Sequence, residues 1–295
     1  MNSHLRVSAL IITHERPDYL YQALNSVLDQ TYPPSEIVIV DDASSADYRS
    51  VLEQFPHTHI RYHRLPTPSG ANTARNIGVA IAQYEVVAFL DDDDSWHREF
   101  ISEHLKAYAV GADAVVCGHS IMFRHHISHI NPQIRVNEQS LRTGNAFSGM
   151  SGFSAKRQHL LDIPFDEALP NGQDWDLYVR FVQAKRVFVN IPKALFDYRE
   201  HTENGITARV QKLTPAQGEI RLQSALKHRE WLGDYHFKRR VAQQLLAFLP
   251  KKRHKAAWLA TAIRHAGWWS TLTALVELAK NKLVRQRRYR KGAFQ

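Results

Sequence analysis

A short β-prone apolar run, Val86-Val87-Ala88-Phe89-Leu90, stops abruptly at four consecutive carboxylates, Asp91-Asp92-Asp93-Asp94, followed by Ser95-Trp96. The run reads as a buried strand, and the acids stand where a strand of an open α/β sheet would end. That carboxyl edge is where such sheets hold ligands. Four adjacent like charges repel one another and push up each other's pKa, so a purely structural role gives them little reason to occur together. A hard divalent cation removes the conflict and commonly arrives with phosphate oxygens as further ligands. The plainer reading is a solvated acidic turn.

The pattern of short strands ending in polar residues repeats along the first two-thirds of the chain. Val7–Ile12 is a first strand that ends at Thr13-His14-Glu15-Arg16-Pro17. Leu20, Ala23, Leu24, Val27 and Leu28 then recur at helical spacing, up to the break at Pro33-Pro34. Ile37–Val40 is a second buried strand and ends in Asp41-Asp42-Ala43-Ser44. A short helix around Tyr48–Phe55 leads to a strand at Ile60–Arg64, and Gly70 and Asn72 open a helix containing Arg75 and Gly78. Alternating strands and helices predict an α/β fold with a mostly parallel, doubly wound sheet. A dinucleotide-binding fold would need a glycine-rich turn after the first strand, and Thr13–Pro17 holds no glycine. The glycine-rich phosphate loop of P-loop enzymes is missing too. Phosphates must therefore be held by a metal and side chains.

With 44% apolar residues in 295, the chain can bury a substantial core. Its one cysteine, Cys117, excludes an intrachain disulfide and suits a reducing compartment, and residues 1–6 lack the apolar run of a signal peptide. The charge is unevenly placed. Residues 207–295 carry 20 Lys/Arg against 4 Asp/Glu, a net +16, which leaves −7 of the whole-chain +9 for residues 1–206. We therefore expect two regions, 1–206 and 207–295, with the candidate site in the acidic one.

Six pieces now stand in order: Ile11-Ile12-Thr13, Val40-Asp41-Asp42-Ala43-Ser44, Ala74-Arg75-Asn76-Ile77-Gly78, Phe89 to Asp94, Gly149-Met150-Ser151-Gly152 and Gly172-Gln173-Asp174-Trp175-Asp176-Leu177. Together they resemble the inverting family-2 glycosyltransferases of bacterial surface-polysaccharide synthesis. The resemblance implies a GT-A nucleotide-diphospho-sugar transferase fold, a Rossmann-like mixed sheet flanked by helices. It covers about 200 residues and leaves the basic C-terminal helical region outside.

The resemblance assigns Thr13 and Asp42 to the nucleotide base. The chemistry agrees, since a uracil offers an N–H to a carboxylate and a carbonyl to a hydroxyl. A pair of helix N-caps is the alternative for Asp41-Asp42. Arg75 would lie near the base or diphosphate. Glu15 stands where the family commonly has Asn, within the nucleotide-binding turn. By the same analogy Asp91 and Asp92 face the ribose or sugar, and Asp93 holds Mn²⁺ or Mg²⁺ on the diphosphate. A register shifted by one would give that part to Asp94. The loop around Phe147–Phe153 would lie on the acceptor side, with tight-turn glycine chemistry as the alternative for Gly149 and Gly152. Asp174, at the start of a helix with Leu177, Phe181 and Val182 on its apolar face, would be the general base. A carboxylate stabilised by the helix dipole is the alternative there. Gln173 replaces the Glu more frequent in the family, and Asp176 reads as structural. His201 is a candidate for the metal or diphosphate.

The implied activity is metal-dependent transfer of a hexose or N-acetylhexosamine from a UDP-sugar to a hydroxyl of a glycan or lipid-linked glycan. Trp231, Trp258, Trp268 and Trp269 lie among the basic clusters Lys238-Arg239-Arg240, Lys251-Lys252-Arg253 and Arg285 to Lys291. Ala256–Val284 is interrupted by Arg264 and His265, so no spanning helix is predicted. Basic faces interleaved with Trp and Leu suit an anionic membrane surface, which places the protein peripherally on the inner face of the cytoplasmic membrane. A solvated helical face and nucleic-acid binding are the competing uses of the charge. Because the candidate site lies in the acidic region, no nucleic-acid partner is expected. A sugar nucleotidyltransferase would share the metal carboxylates, but it has no use for Asp174 and usually carries a Gly/Lys-rich phosphate loop.

Overall fold

Strands that are apolar on both sides need cover on both faces, and the sheet is built accordingly. We describe residues 5–56, 59–200 and 210–292 of the protein, from a computed structural model. The chain divides into two compact units. The first comprises Met1–Leu141, Asn145–Ala168 and Gln173–Arg199; the second comprises Arg142–Gly144, Leu169–Gly172 and Glu200–Gln295. The main division thus falls a few residues before the 206/207 boundary expected from charge alone.

In chain order the first unit contains β1 (Val7–Thr13), α1 (Pro17–Leu28), β2 (Glu36–Asp41), α2 (Arg49–Leu52), β3 (Ile60–Arg64), α3 (Ala71–Ile81), β4 (Val86–Asp91) and β5 (Ser95–Trp96). There follow α4 (Phe100–Ala109), β6 (Ala114–Ile121), β7 (Arg124–His129), α5 (Glu138–Arg142), β8 (Phe153–Lys156), α6 (Arg157–Asp162), α7 (Gln173–Gln183) and β9 (Phe188–Tyr198). The strands form one sheet in the order β3-β2-β1-β4-β8-β6-β9-β5, with β7 on β6. The pairs β1/β2, β1/β4 and β2/β3 are parallel, and β8 enters antiparallel between β4 and β6. Every residue of β2 is buried, whereas β3 is an exposed edge and carries the polar sequence Arg61-Tyr62-His63-Arg64.

Register explains why the acids gather. Thr13 pairs with Asp41 and Ile12 with Asp91, so the carboxyl ends of β1, β2 and β4 coincide along one edge. Beneath that edge Ile11, Leu24, Ile39, Leu90, Phe100 and Phe196 belong to one buried cluster. The Trp96 and Phe100 rings stack at 4.2 Å, which accounts for Trp96 as packing under the loop. The segment between Phe100 and Phe153 supplies β6 and β7, antiparallel strands that a strand–helix alternation does not foretell. β9 runs from Phe188 to Tyr198. Its pairing with β6 jumps from Cys117↔Ile191 to Gly118↔Ala194, so Pro192 and Lys193 form a bulge. A proline cannot donate to a ladder, and the bulge absorbs it.

The second unit contains the helices Pro215–Glu219, Gln223–Lys227, Arg229–Leu246 and Lys255–Gly292, the last two packed on each other. Thr214 and Gln217 close a reciprocal capping box at the first of them. Leu232, Val241, Leu245, Trp258, Ala262 and Ala266 are buried. Trp258 is therefore core, with the Lys252 ammonium 3.4 Å from its ring centre, and is not a surface anchor. Among the described residues no helix is long and apolar enough to cross a membrane.

α3 can lie close on β1 only because residue 78 is glycine. A Cβ there would come within 2.3 Å of Leu10 Cδ1, a fully buried side chain. Gly78→Ala should therefore lower stability by ~1–3 kcal/mol, measured by urea unfolding. An unchanged midpoint would show that Leu10 has room to move.

Candidate active site

The conflict of four adjacent carboxylates is resolved by alternation. The side chains of Asp91 and Asp93 are 34% and 18% exposed, while those of Asp92 and Asp94 point inward. Asp94 is thus on the buried side of the run and Asp93 on its open side.

Each inward acid is tied down. Thr13 Oγ1 donates to Asp92 Oδ2 at 2.7 Å and also lies 2.8 Å from the Tyr48 hydroxyl. Arg16 Nη1 lies 3.2 Å from Asp92 Oδ1 and 2.6 Å from Asp93 Oδ2, so one guanidinium spans an inward and an outward acid. Asp94 accepts from Ser151 Oγ at 2.6 Å and from the Arg199 backbone N–H at 2.9 Å. Burial, then the neighbouring Asp93 and Asp91 charges, push the Asp94 carboxyl well above the ordinary carboxylate range. Burial and the Asp93 charge push Asp92 up to about 7, against the pull of Thr13 and Arg16.

Ser151 ties the Gly149–Gly152 stretch to the acidic run. Its hydroxyl accepts from the Asp91 N–H at 3.1 Å, and its carbonyl accepts from Trp96 Nε1 at 2.8 Å. Arg199 closes the other side, donating from Nε to the Asp93 carbonyl at 2.9 Å.

Arg75 links the two halves of the site. It is 6% exposed on α3 and bonds Asp91 Oδ1 at 2.8 Å through Nη2. Its Nη1 lies 3.4 Å from Gln173 Oε1, the residue before Asp174. Asp174 is in the first turn of α7 and accepts from Asn145 Nδ2 at 3.1 Å. A Cβ on Gly149 would lie 3.8 Å from its Oδ2, so the backbone there runs past the carboxylate. Asp176, by contrast, is fully buried and pairs with Arg180.

The base-side candidates lie along the same edge. Asp42 donates its backbone N–H to the Thr13 carbonyl at 2.9 Å, and its carboxylate accepts from the N–H groups of Ser69 and Gly70 at 2.6 and 2.9 Å. Asp41 is buried and accepts from Ser44 N at 3.0 Å and from the Tyr62 hydroxyl at 2.6 Å. Neither acid caps α2, whose N-cap residue is Tyr48 and which has no side-chain cap. The Glu15 carboxylate holds the N–H groups of Ser45 and Ala46, and those bonds keep its pKa low.

Thr13, Glu15, Asp42, Arg75, Asp91, Asp92, Asp93 and Asp174 therefore all belong to the first unit, joined by a nearly continuous set of hydrogen bonds. His201 lies outside the described residues. Sequence reasoning passed over Arg16, Tyr48, Asn145, Ser151 and Arg199. Arg16 stood in the turn read for Thr13, Glu15 and its missing glycine, Ser151 in a stretch read for its glycines, and Arg199 two residues before His201; Tyr48 and Asn145 lay outside the pieces singled out.

Among the described residues no three His, Cys, Asp or Glu side chains are grouped to hold an ion. Asp91 and Asp93 are the exposed pair, and two carboxylates suit Mn²⁺ or Mg²⁺ only when water and phosphate oxygens complete the shell. The donor set thus fits an ion that arrives with a diphosphate, not an all-protein cage.

The profile of glycosyl transferase family 2 matches residues 8–166, more than half of the chain. The chain belongs to glycosyl transferase family 2. It is 38% identical over 102 residues to the putative teichuronic acid biosynthesis glycosyltransferase TuaG of Bacillus subtilis, matching 34% of this chain and 40% of that one. An uncharacterized Nostoc glycosyltransferase, alr2836, is 31% identical over 182 residues, 55% of this chain and 54% of its own. WfaP of Escherichia coli, a UDP-Glc:alpha-D-GlcNAc-diphosphoundecaprenol beta-1,3-glucosyltransferase, is 34% identical over 99 residues, 34% of this chain and 39% of its own. The chain thus spans about half or less of the length of these relatives. S. aureus TarS 1-349 with UDP-GlcNAc superposes with a TM-score of 0.68 at 18% identity, over 98% of this chain and 92% of that one. The Pyrobaculum calidifontis mannosyltransferase PcManGT, solved with GDP-Man and Mn²⁺, gives 0.63 at 18% identity, over 98% and 83%. The chain has the GT-A fold, a mixed and largely parallel sheet flanked by helices.

The raised Asp92 carboxyl has a measurable consequence without metal. In the folded protein it keeps its proton between the ordinary value of 3.8 and about 7, where the unfolded chain has already released it. Its contribution is full below the ordinary value and lost as pH rises through about 7. In EDTA, Asp92→Asn should flatten the fall of Tm between pH 5 and 8 by on the order of a few degrees. An unchanged slope would place the proton elsewhere in the run.

Proposed function

We propose that this family-2 enzyme transfers a hexosyl or N-acetylhexosaminyl group, with inversion, from a nucleotide sugar to a hydroxyl of a glycan or lipid-linked glycan in cell-surface polysaccharide synthesis. One observation carries the reading. Arg75 bonds Asp91 on the donor edge and also reaches Gln173, beside Asp174, so nucleotide-side and acceptor-side chemistry share one arginine.

Asp174 takes the proton from the acceptor hydroxyl as that oxygen attacks the anomeric carbon. The new C–O bond forms on the face opposite the diphosphate, whose bond to the sugar breaks with its electron pair. Asn145 holds the Asp174 carboxylate in place for that transfer. Arg75 orients the ribose or diphosphate side through Asp91, and Asp42 fixes the Ser69-Gly70 turn beside the base. Thr13 serves by holding Asp92, and Glu15 by holding the Ser45-Ala46 turn. Mn²⁺ or Mg²⁺, held by Asp93 with Asp91, would supply charge neutralisation on the leaving diphosphate. His201 is a further candidate ligand.

UDP is favoured as the nucleotide because WfaP is named for UDP-Glc and TarS was solved with UDP-GlcNAc. PcManGT, with GDP-Man, keeps a guanine donor as the second reading. A lipid-linked acceptor accords with the diphosphoundecaprenol in the name of WfaP and with a basic second unit resting peripherally on the inner face of the cytoplasmic membrane.

The test is a donor screen that reads nucleoside diphosphate release with Mn²⁺ and with EDTA. A UDP-sugar should turn over only with the metal; release undiminished by EDTA would remove the metal from the reading. Asp174→Asn should lose ~10²–10⁴ in turnover with donor affinity nearly unchanged. Normal turnover would refute the base assignment.

The Arg16 guanidinium already sits on the acid assigned to the metal. An arriving divalent cation must displace it or bear its repulsion at close range. Arg16→Ala should therefore bind Mn²⁺ on the order of tenfold more tightly in the absence of donor, read from free Mn²⁺ by paramagnetic resonance. Equal affinity would mean that the ion does not meet Asp93.

A further inference from the structure

The helix Lys255–Gly292 is broken once. Gly267 has φ 78° and ψ 166°, a conformation that residues with a Cβ rarely adopt, and a new helical segment starts at Trp268. Trp268 and Trp269 are 77% and 73% exposed, Leu272 is 54% and Val276 is 45%. These positions differ by one, four and eight residues, so they fall on one stripe of the new segment. The opposite stripe is committed inward: Ser270, Thr271 and Ala274 are buried, and Glu277 bonds Arg239 and Gln243.

Two adjacent, well-exposed tryptophans in line with Leu and Val are more apolar surface than a monomer usually leaves in water. An indole combines a large apolar face with one N–H donor, which suits the boundary between lipid headgroups and acyl chains. The charge of the region selects among occupants. Residues 207–295 carry a net +16, so a second copy would bring like charge against like, whereas anionic lipid brings the opposite sign. Arg264, just before the break, is 69% exposed, and Lys251, Arg253 and Lys255 are exposed too.

We infer that the segment beginning at Trp268 is a membrane-insertion face. It lies in the plane of an anionic bilayer, with Trp268, Trp269, Leu272 and Val276 entering the headgroup boundary and the surrounding Lys and Arg held at the phosphates. The inference rests on the membrane reading above and adds to it that apolar insertion, not charge alone, holds the enzyme there.

The test uses the full chain with vesicles of phosphatidylcholine alone or with phosphatidylglycerol. The wild type should pellet with the anionic vesicles, and lipids brominated near the headgroup should quench its tryptophan emission. Trp268→Ala/Trp269→Ala should weaken anionic-vesicle binding on the order of tenfold or more and remove most of the quenching, with an unchanged circular dichroism spectrum and Tm. As the pair is exposed, the fold should not depend on it. Leu272→Ser is the second variant and should weaken binding in the same direction. Should the double variant pellet as well as the wild type, docking is electrostatic, and the insertion face falls while the membrane reading stands. Should the wild type pellet with neither vesicle, the membrane reading falls and the inference with it. A wild-type dimer in sedimentation velocity that the double variant dissolves, without lipid binding, would make the stripe a self-association face and overturn the inference.

Discussion

Electrostatic repulsion within Asp91–Asp94 is the constraint from which the rest of the first unit follows. Four carboxylates on consecutive residues cannot all remain charged and buried, and the fold answers by alternating them. The inward pair is bound by hydroxyls, a backbone N–H and a guanidinium, at the cost of a weakened hold on its own negative charge. The outward pair lies against the guanidinium groups of Arg75 and Arg16. Charge is thus directed to the edge of the sheet, where a nucleotide diphosphate and its cation would meet it.

The surrounding loops are held by the same acids. Ser151 bonds Asp91 and Asp94 and so brings the Gly149–Gly152 turn beside the run, while Arg199 returns from the end of β9 to bond Asp93 and Asp94. On the far side Asn72 and Asn76 of α3 hold the carbonyls of Asp166 and Phe165, which fixes the chain shortly before α7 begins. The site is therefore assembled from segments spread over some two-thirds of the chain. A change in any anchoring loop should reach the carboxylates through one or two hydrogen bonds, a coupling expected of polar networks in a low-dielectric setting.

The second unit follows a different logic. Its helices bury Leu, Val, Ala and Trp258 among themselves, together with Arg240 and Lys252, while Lys251, Arg253 and Lys255 lie on the surface. Of the four tryptophans among the basic clusters, Trp258 is core, Trp231 is half-buried, and Trp268 and Trp269 are exposed. Composition treats them alike. Only the packing of the helix Lys255–Gly292 against Arg229–Leu246, and the break at Gly267, separate them.

The sequence by itself determined the left half of the sheet, because apolar runs such as Ile37–Val40 and Val86–Leu90, each ending in Asp, carry strand, burial and edge in a few adjacent residues. It determined the family too, through motifs whose order survives without any contact being known. Tertiary structure alone decided which Asp of the run faces outward, since the pleat and turn that set side-chain direction depend on the pairing of β4 and β5 with strands distant in sequence. It also decided the partners. Tyr48 on Thr13, Arg16 on Asp92 and Asp93, and Asn145 on Asp174 join residues 29 to 77 positions apart in the chain, where no local periodicity links them. The strands β6 to β8 stayed illegible for the same reason: an antiparallel strand inserted between β4 and β6 is specified by its neighbours on both sides, and neither neighbour is adjacent in sequence.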